Sequence, residues 1–176
     1  MSSAITIKTK PTTRRTSISF NKLTSVEIPS VLSIEERNSD YPWSQLQFTT
    51  SIENSNNLCY CLSLNGKTVG YLIAMLALDS ADILNIGIDP DFKRHGHGTA
   101  LLNHLIEELR KRDICEILLE VRAGNKSAIR FYKRQGFEEI SVRKNYYMKN
   151  SKNQTKREDG IIMGLKIPLT EIKNVL

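Results

Sequence analysis

Apolar residues along this chain follow two periods, and the changes between them mark out the elements. The runs LCYCLSL, starting at Leu58, and TVGYLIAMLAL, starting at Thr68, are almost continuously apolar, as expected for strands covered on both faces. Between them stands Asn65-Gly66, a pair suited to a type I′ turn because both central positions of that turn need positive φ. The two runs are therefore predicted to form a β-hairpin. Leu101, Leu102, Leu105, Ile106 and Leu109 recur at helical spacing, with Glu107, Glu108, Arg110 and Lys111 on another face. That spacing predicts an amphipathic helix beginning near Thr99.

The flanking segments extend this pattern. A strand over residues 18–23 leads to Thr24 or Ser25 as the N-cap of a helix through VEIPSVLSIEER, where Pro29 is tolerated near the first turn. NSDYPWS breaks that helix, and Ser44 caps a second over residues 45–52. A strand over 83–88 closes at Asp89-Pro90, where proline removes a ladder donor. Strand EILLEV, a helix over about 125–135 stopped by Gly136, strand FEEISV, a basic loop and a last strand GIIMGLKI complete the chain. The order β-α-α-β-β-β-α-β-α-β-β predicts a mixed α/β sheet with helices on its faces.

Composition narrows the class. A chain of 176 residues, 40% hydrophobic and 25% charged, suits one soluble domain, expected over residues 18–170 between tails at 1–17 and 171–176. No apolar run approaches the roughly 20 residues that span a bilayer, and no apolar segment follows the N-terminal charges as in a secretory signal. The expected location is the cytoplasm, and the expected state a monomer or weak dimer. Cys59 and Cys61 share one strand face and Cys115 opens another apolar run, so all three read as reduced packing residues.

Charge is uneven. Lys8, Lys10, Arg14 and Arg15 give the first 20 residues +4 of the net +6, which predicts a solvated basic tail. Arg143, Lys144, Lys149, Lys152, Lys156 and Arg157 form a second basic cluster without an acid, placed in the predicted loop.

The chemistry concentrates at KRHGHG, residues 93–98, between a strand and a helix. His95 and His97 invite a metal reading, but His104 is the only other histidine and no Cys, Asp or Glu cluster stands at ligand spacing nearby, so no metal is expected. Gly96 and Gly98 let the backbone curl so that successive N–H groups at the helix start converge on one phosphate. Arg94 and Lys93 add charge. The loop is predicted to bind phosphate through Arg94, His95, Gly96, His97, Gly98 and Thr99.

With its surroundings, this loop resembles that of the GCN5-related N-acetyltransferase superfamily, whose pyrophosphate loop reads Q/R-x-x-G-x-G/A; Lys93 stands at the first position. The strings NIGIDPDFKRHGHGTALLNHLIEEL, LLEVRAGNKSAIRFYKRQGFEE, VRKNYY and REDGIIM are similar to the RimI-type branch, which acetylates the N-terminal alanine of a ribosomal small-subunit protein. The likeness runs from about Tyr41 to Ile167; the segment between Tyr147 and Arg157 is longer than in the family, and residues 1–17 have no counterpart. The resemblance implies a single-domain fold with a mixed, mainly antiparallel sheet and helices on both faces. It also implies acetyl-CoA as co-substrate, without metal, and a protein N-terminus as acceptor, with no nucleic acid required.

Acetyl transfer to an amine needs a proton acceptor, because an α-amino group of pKa about 7.7–8.0 is mostly protonated at neutral pH. Glu120 ends an apolar strand, where a carboxylate is either functional or paired with Arg122 two residues on; the residues alone leave both open, and the resemblance favours the base. Tyr132 reads as a core aromatic by itself, but the Asn125 to Tyr132 spacing matches the family's acid helix, which implies proton donation to the CoA sulfur. Asn125 suits a helix cap, and the resemblance implies a cofactor contact for it as well. Ile86, Gly87 and Ile88 are expected to offer backbone groups to the pantetheine and thioester, with Gly87 either a close approach or a packing gap. Tyr41, Trp43, Tyr146 and Tyr147 read either as walls of a peptide slot or as core.

Two rivals follow from the basic segments. One is the same fold acting on a lysine side chain or polyamine; the other is a ribosome- or RNA-binding module with a vestigial cofactor site. Retention of Glu120, Asn125 and Tyr132 together weighs against the second.

Overall fold

The structure is a computed structural model that describes residues 17–151 and 154–168. The tails expected over 1–17 and 171–176 lie outside these residues apart from Ser17, as does Lys152 of the basic cluster. Seven strands form one sheet in the order β1-β2-β3-β4-β5-β7-β6. They are β1 (Ile18–Lys22), β2 (Asn57–Leu64), β3 (Lys67–Leu76), β4 (Ser80–Ile88), β5 (Glu116–Arg122), β6 (Glu138–Ser151) and β7 (Gln154–Lys166). The helices are α1 (Ile28–Asn38), α2 (Gln45–Glu53), α3 (His97–Arg110) and α4 (Lys126–Arg134). Every neighbouring pair is antiparallel except β4–β5.

Local chemistry explains the boundaries. Asn65 (φ 49°) and Gly66 (φ 82°) make the positive-φ turn between β2 and β3. Capping boxes on Thr24 with Glu27 and on Ser44 with Gln47 satisfy the first N–H groups ahead of α1 and in α2.

Alternation along β3 divides the core. Leu72 and Ala74 face a cluster with Leu101, Leu105 and Leu109 of α3 and Ile129 and Tyr132 of α4. Tyr71 and Ile73 face a second cluster with Val31 and Ile34 of α1 and Phe48 of α2. Helices thus cover both faces, and among the described residues no helix is long and apolar enough to cross a membrane.

Two features position the cleft described below. A bulge between Ile73 and Ala74 of β3 leaves Leu84 of β4 without a partner, and such an insertion bends the strand. Immediately before it, pairing of β4 with β5 ends at Ile83 and Leu119. Residues 85–88 stay paired with β3 but turn an unpaired edge toward the end of β5.

The predicted basic loop is corrected. Residues 143–151 continue β6 and pair with β7 down to Ser151 opposite Gln154, so both strands run well past FEEISV and GIIMGLKI. A two-stranded ribbon satisfies its backbone through the ladder alone and needs no apolar alternation, so the basic composition concealed it. Helix α3 also begins at His97 rather than near Thr99, with Gly96 as its left-handed N-cap.

Candidate active site

Where β4 and β5 part, a cleft of about 300 Å³ opens. Ile83 to Ile86 form one wall and Leu119 to Arg122 the other, with Asn125, Ala128 and Tyr132 behind. Glu35, Ser39, Tyr41, Trp43 and Tyr147 lie around its mouth.

Glu120 has a side chain 21% exposed, bonded on both oxygens: Oε1 accepts the Tyr147 hydroxyl, and Oε2 pairs with Arg143 Nη1 at 2.9 Å. Gly160 of β7 leaves the room, since a Cβ there would lie 3.1 Å from Glu120 Oε1 and 3.2 Å from the Tyr147 ring. The expected alternative, a pair between Glu120 and Arg122, is corrected. Arg122 instead places its guanidinium 4.1 Å from the centres of both the Tyr41 and Tyr147 rings, and Nη1 lies 3.7 Å from Glu158 Oε2. Cation–π attraction on both faces suits its flat guanidinium.

Arg143, the cation on Glu120, was assigned by sequence to a solvated loop. A two-residue excess on β6 brings it there: three residues, 144–146, oppose Asp159 between the pairs Arg143–Gly160 and Tyr147–Glu158. Asp159 latches this bulge, accepting Asn145 N–H at 2.8 Å and Lys144 Nζ at 2.9 Å. Those two donors, the backbone N–H first, hold its carboxyl below the usual range. Asn145 takes φ 53°, a left-handed conformation that asparagine tolerates.

Tyr132 is buried at 7% exposure, and burial pushes its hydroxyl up to about 12, so it stays protonated at neutral pH. Tyr147 is also raised, first by burial and then by its bond to Glu120. Asn125 caps α4 through Ala128 N–H at 3.1 Å, as expected, and it also lines the cleft.

The glycine loop follows β4 through the short turn over 90–92 and leads into α3; none of residues 94–99 lines the cleft itself. Gly96 has φ 82° with no atom within 4 Å of where a Cβ would be, so its requirement is conformational, beside open space. Arg94 (φ 67°) adds a second left-handed residue, and Thr99 lies in the first turn of α3. His95 Nδ1 lies 2.8 Å from Lys93 O, and its ring stacks on His97 at 6.1 Å. Among the described residues no three His, Cys, Asp or Glu side chains gather to hold a metal.

One expected position changes, and two residues of β4 gain a structural explanation of their own. Tyr146 does not reach the cleft: it is 49% exposed, with its ring against Tyr147 and beside the Arg143 guanidinium. Gly87 is explained from inside the protein, because a Cβ there would meet the Tyr71 ring at 2.6 Å. The Ile88 carbonyl already accepts from Asn38 Nδ2 at 2.9 Å. Glu35, Arg143 and Asp159 were missed because their roles depend on partners on other elements that only the fold brings near, Tyr71 and Asn85 for the first, Glu120 for the second and Asn145 for the third.

The family model for the acetyltransferase (GNAT) family matches residues 28–137. The Escherichia coli protein named ribosomal protein bS18-alanine N-acetyltransferase is 40% identical over 150 residues, covering 85% of this chain and 98% of that one. A Haemophilus influenzae protein of the same name is 33% identical over 146 residues, covering 82% and 95%. The crystal structure of the Escherichia coli ribosomal-protein-S18-alanine N-acetyltransferase superposes with a TM-score of 0.79 at 38% identity, covering 91% of this chain and 99% of that one. The fold is shared as well by Arabidopsis thaliana NAA60 in complex with acetyl-CoA, at a TM-score of 0.73 and 17% identity over 86% and 99% of the two chains. With the split sheet, the glycine loop and near end-to-end likeness to these relatives, the chain belongs to the acetyltransferase (GNAT) family.

Proposed function

We propose that this protein transfers the acetyl group of acetyl-CoA directly to the α-amino group of a protein N-terminus, an alanine on the counterpart of ribosomal protein bS18. The name of the 40% identical relative points to that acceptor. The observation that carries the reading is that Glu120 of β5 and Tyr132 of α4 line one cleft, opposite the unpaired edge of β4.

Bound acetyl-CoA supplies an acyl group on a thiol leaving group. The α3 N-terminus and the left-handed turn at Gly96 suit its pyrophosphate, because unpaired N–H groups there converge on an anion. The free edge of residues 85–87 offers ladder groups to the pantetheine amides, much as an added strand would pair. Glu120 accepts the proton of the incoming amine, and Tyr132 donates its own to the departing sulfur. Tyr41, Trp43 and Tyr147 wall the acceptor side, with Arg122 fixed between two of the rings.

The test offers acetyl-CoA with peptides beginning Ala, Ser, Met or acetyl-Ala, and with one carrying an internal lysine, and locates the label by mass spectrometry. Label on the α-amine of the Ala peptide, and none on acetyl-Ala, is expected. Label on the internal lysine alone would transfer the assignment to side-chain acetylation.

A further inference from the structure

Glu35, Tyr71 and Asn85 form a polar cluster with no part in the proton transfers above. Glu35 is only 5% exposed, yet both its oxygens are bonded. Oε1 accepts the Trp43 backbone N–H at 3.0 Å and Asn85 Nδ2 at 3.3 Å, while Oε2 accepts the Tyr71 hydroxyl. That hydroxyl also stands 3.2 Å from Asn85 Oδ1. A carboxylate so placed is costly unless its lone pairs are filled, and here three donors from three segments fill them.

The cluster joins the two sides of the cleft. Trp43 and Tyr41 belong to the segment between α1 and α2, whereas Asn85 is the first residue of β4 after its bulge. Tyr71 reaches the cluster from β3 beneath Gly87, whose missing side chain makes way for its ring. Glu35 and Asn85 both reach the cleft lining.

We propose that Glu35 is a positioning residue for the acyl acceptor: through the Trp43 N–H, Tyr71 and Asn85 it fixes the acceptor wall against the strand that receives acetyl-CoA. This rests on the acceptor assignment above. Without Glu35 the Trp43 N–H, the Tyr71 hydroxyl and the Asn85 amide lose a shared acceptor, and the wall is freed to drift from β4. Acetyl-CoA, held by β4 and α3, is then bound as before while the peptide is not.

Trp43 is the only tryptophan, so its fluorescence reports on the wall without turnover. Glu35→Ala is expected to raise acrylamide quenching of Trp43 and to raise peptide KM by about tenfold or more, the scale of one charged hydrogen bond, with acetyl-CoA Kd within about twofold. Glu35→Gln, which keeps an oxygen for the Trp43 N–H, should recover most of the KM, and Tyr71→Phe should lie between. Wild-type quenching and peptide KM in Glu35→Ala, or equal weakening of peptide and acetyl-CoA, would overturn the proposal. Should Glu35→Ala not fold, wild-type quenching and KM in both Glu35→Gln and Tyr71→Phe would overturn it equally. Should the wild type acetylate none of the peptides, only the acceptor assignment fails, and quenching alone decides whether Glu35 anchors the wall.

Discussion

Glu120 receives a hydroxyl on one oxygen and a guanidinium on the other, so a base at this position works while held in a fixed orientation. Glutamine keeps the shape and can still accept from Tyr147, but it cannot take a proton from an amine. Glu120→Gln is therefore expected to lower kcat by about 10²–10⁴, with acetyl-CoA affinity nearly unchanged. The deficit should shrink as pH rises and the amine loses its proton unaided; a constant deficit into alkaline pH would make Glu120 a structural group. At Gly96 the argument is conformational. A β-branched residue at φ 82° is strained and would also project into the space assigned to the pyrophosphate, so Gly96→Val should weaken acetyl-CoA by about tenfold to a hundredfold. His95→Ala and His97→Ala should change it little, as isothermal titration can show. Glu120, Tyr132 and Asn125 were picked out through the family resemblance, whose motif runs at fixed offsets within one strand-helix unit; the residues alone left Glu120 open between base and ion pair and read Tyr132 as core. Arg143 was not, because its meeting with Glu120 is made by a pairing between β6 and β7 that a single chain of letters does not display.

At the scale of elements, apolar period and turn chemistry were enough to place the β2–β3 hairpin, the body of α3 and the cap of Ser44, and to narrow the first cap to Thr24 or Ser25, of which the structure takes Thr24. Bulges were beyond reach, since an unpaired residue is defined by the partner strand, and both bulges near the cleft have consequences for it. The one at Leu84 precedes the free edge of β4; the one at residues 144–146 aims Arg143 and Tyr147 at Glu120. Asp159 holds the second through one backbone N–H and one lysine. Because these donors lower its pKa, the latch is complete above the ordinary carboxylate range and is lost only as pH falls through the lowered value. Asp159→Ala should relax the bulge at neutral pH and cut kcat/KM for peptide by about tenfold, while acetyl-CoA Kd holds, because the bulge positions Arg143 and Tyr147 on the acceptor side whereas acetyl-CoA is assigned to β4 and α3. A matching loss in acetyl-CoA affinity would show that the ribbon supports the whole cleft instead.

For the whole molecule, each of the two cores on opposite faces of the sheet holds one buried phenol, Tyr132 in one and Tyr71 in the other, and Tyr60 and the half-buried Tyr147 are shielded from water as well. Tyr60, Tyr71, Tyr132 and Tyr147 all have raised pKa values, burial being the largest cause in each, and Tyr132 reaches about 12. In the unfolded chain the same hydroxyls ionise near the ordinary value of about 10. Below that pH both states keep their protons and the contribution to stability is complete. As pH rises past it, the unfolded state sheds protons that the folded state retains, so unfolding gains free energy and stability is lost until the folded values are passed. The melting temperature is therefore expected to fall with increasing slope above about pH 10, ahead of the loss that lysine deprotonation brings by breaking surface pairs. Phenylalanine removes a titrating group without removing the ring. Tyr132→Phe should flatten the slope at little cost near neutrality, since burial alone, and no hydrogen bond, raises its hydroxyl. Tyr71→Phe should flatten it too, but from a lower starting stability, because it gives up the bond to Glu35. Melting curves across pH 8 to about 11 for the three proteins decide the matter. Identical slopes in all three would mean that these phenols do not carry the alkaline limit.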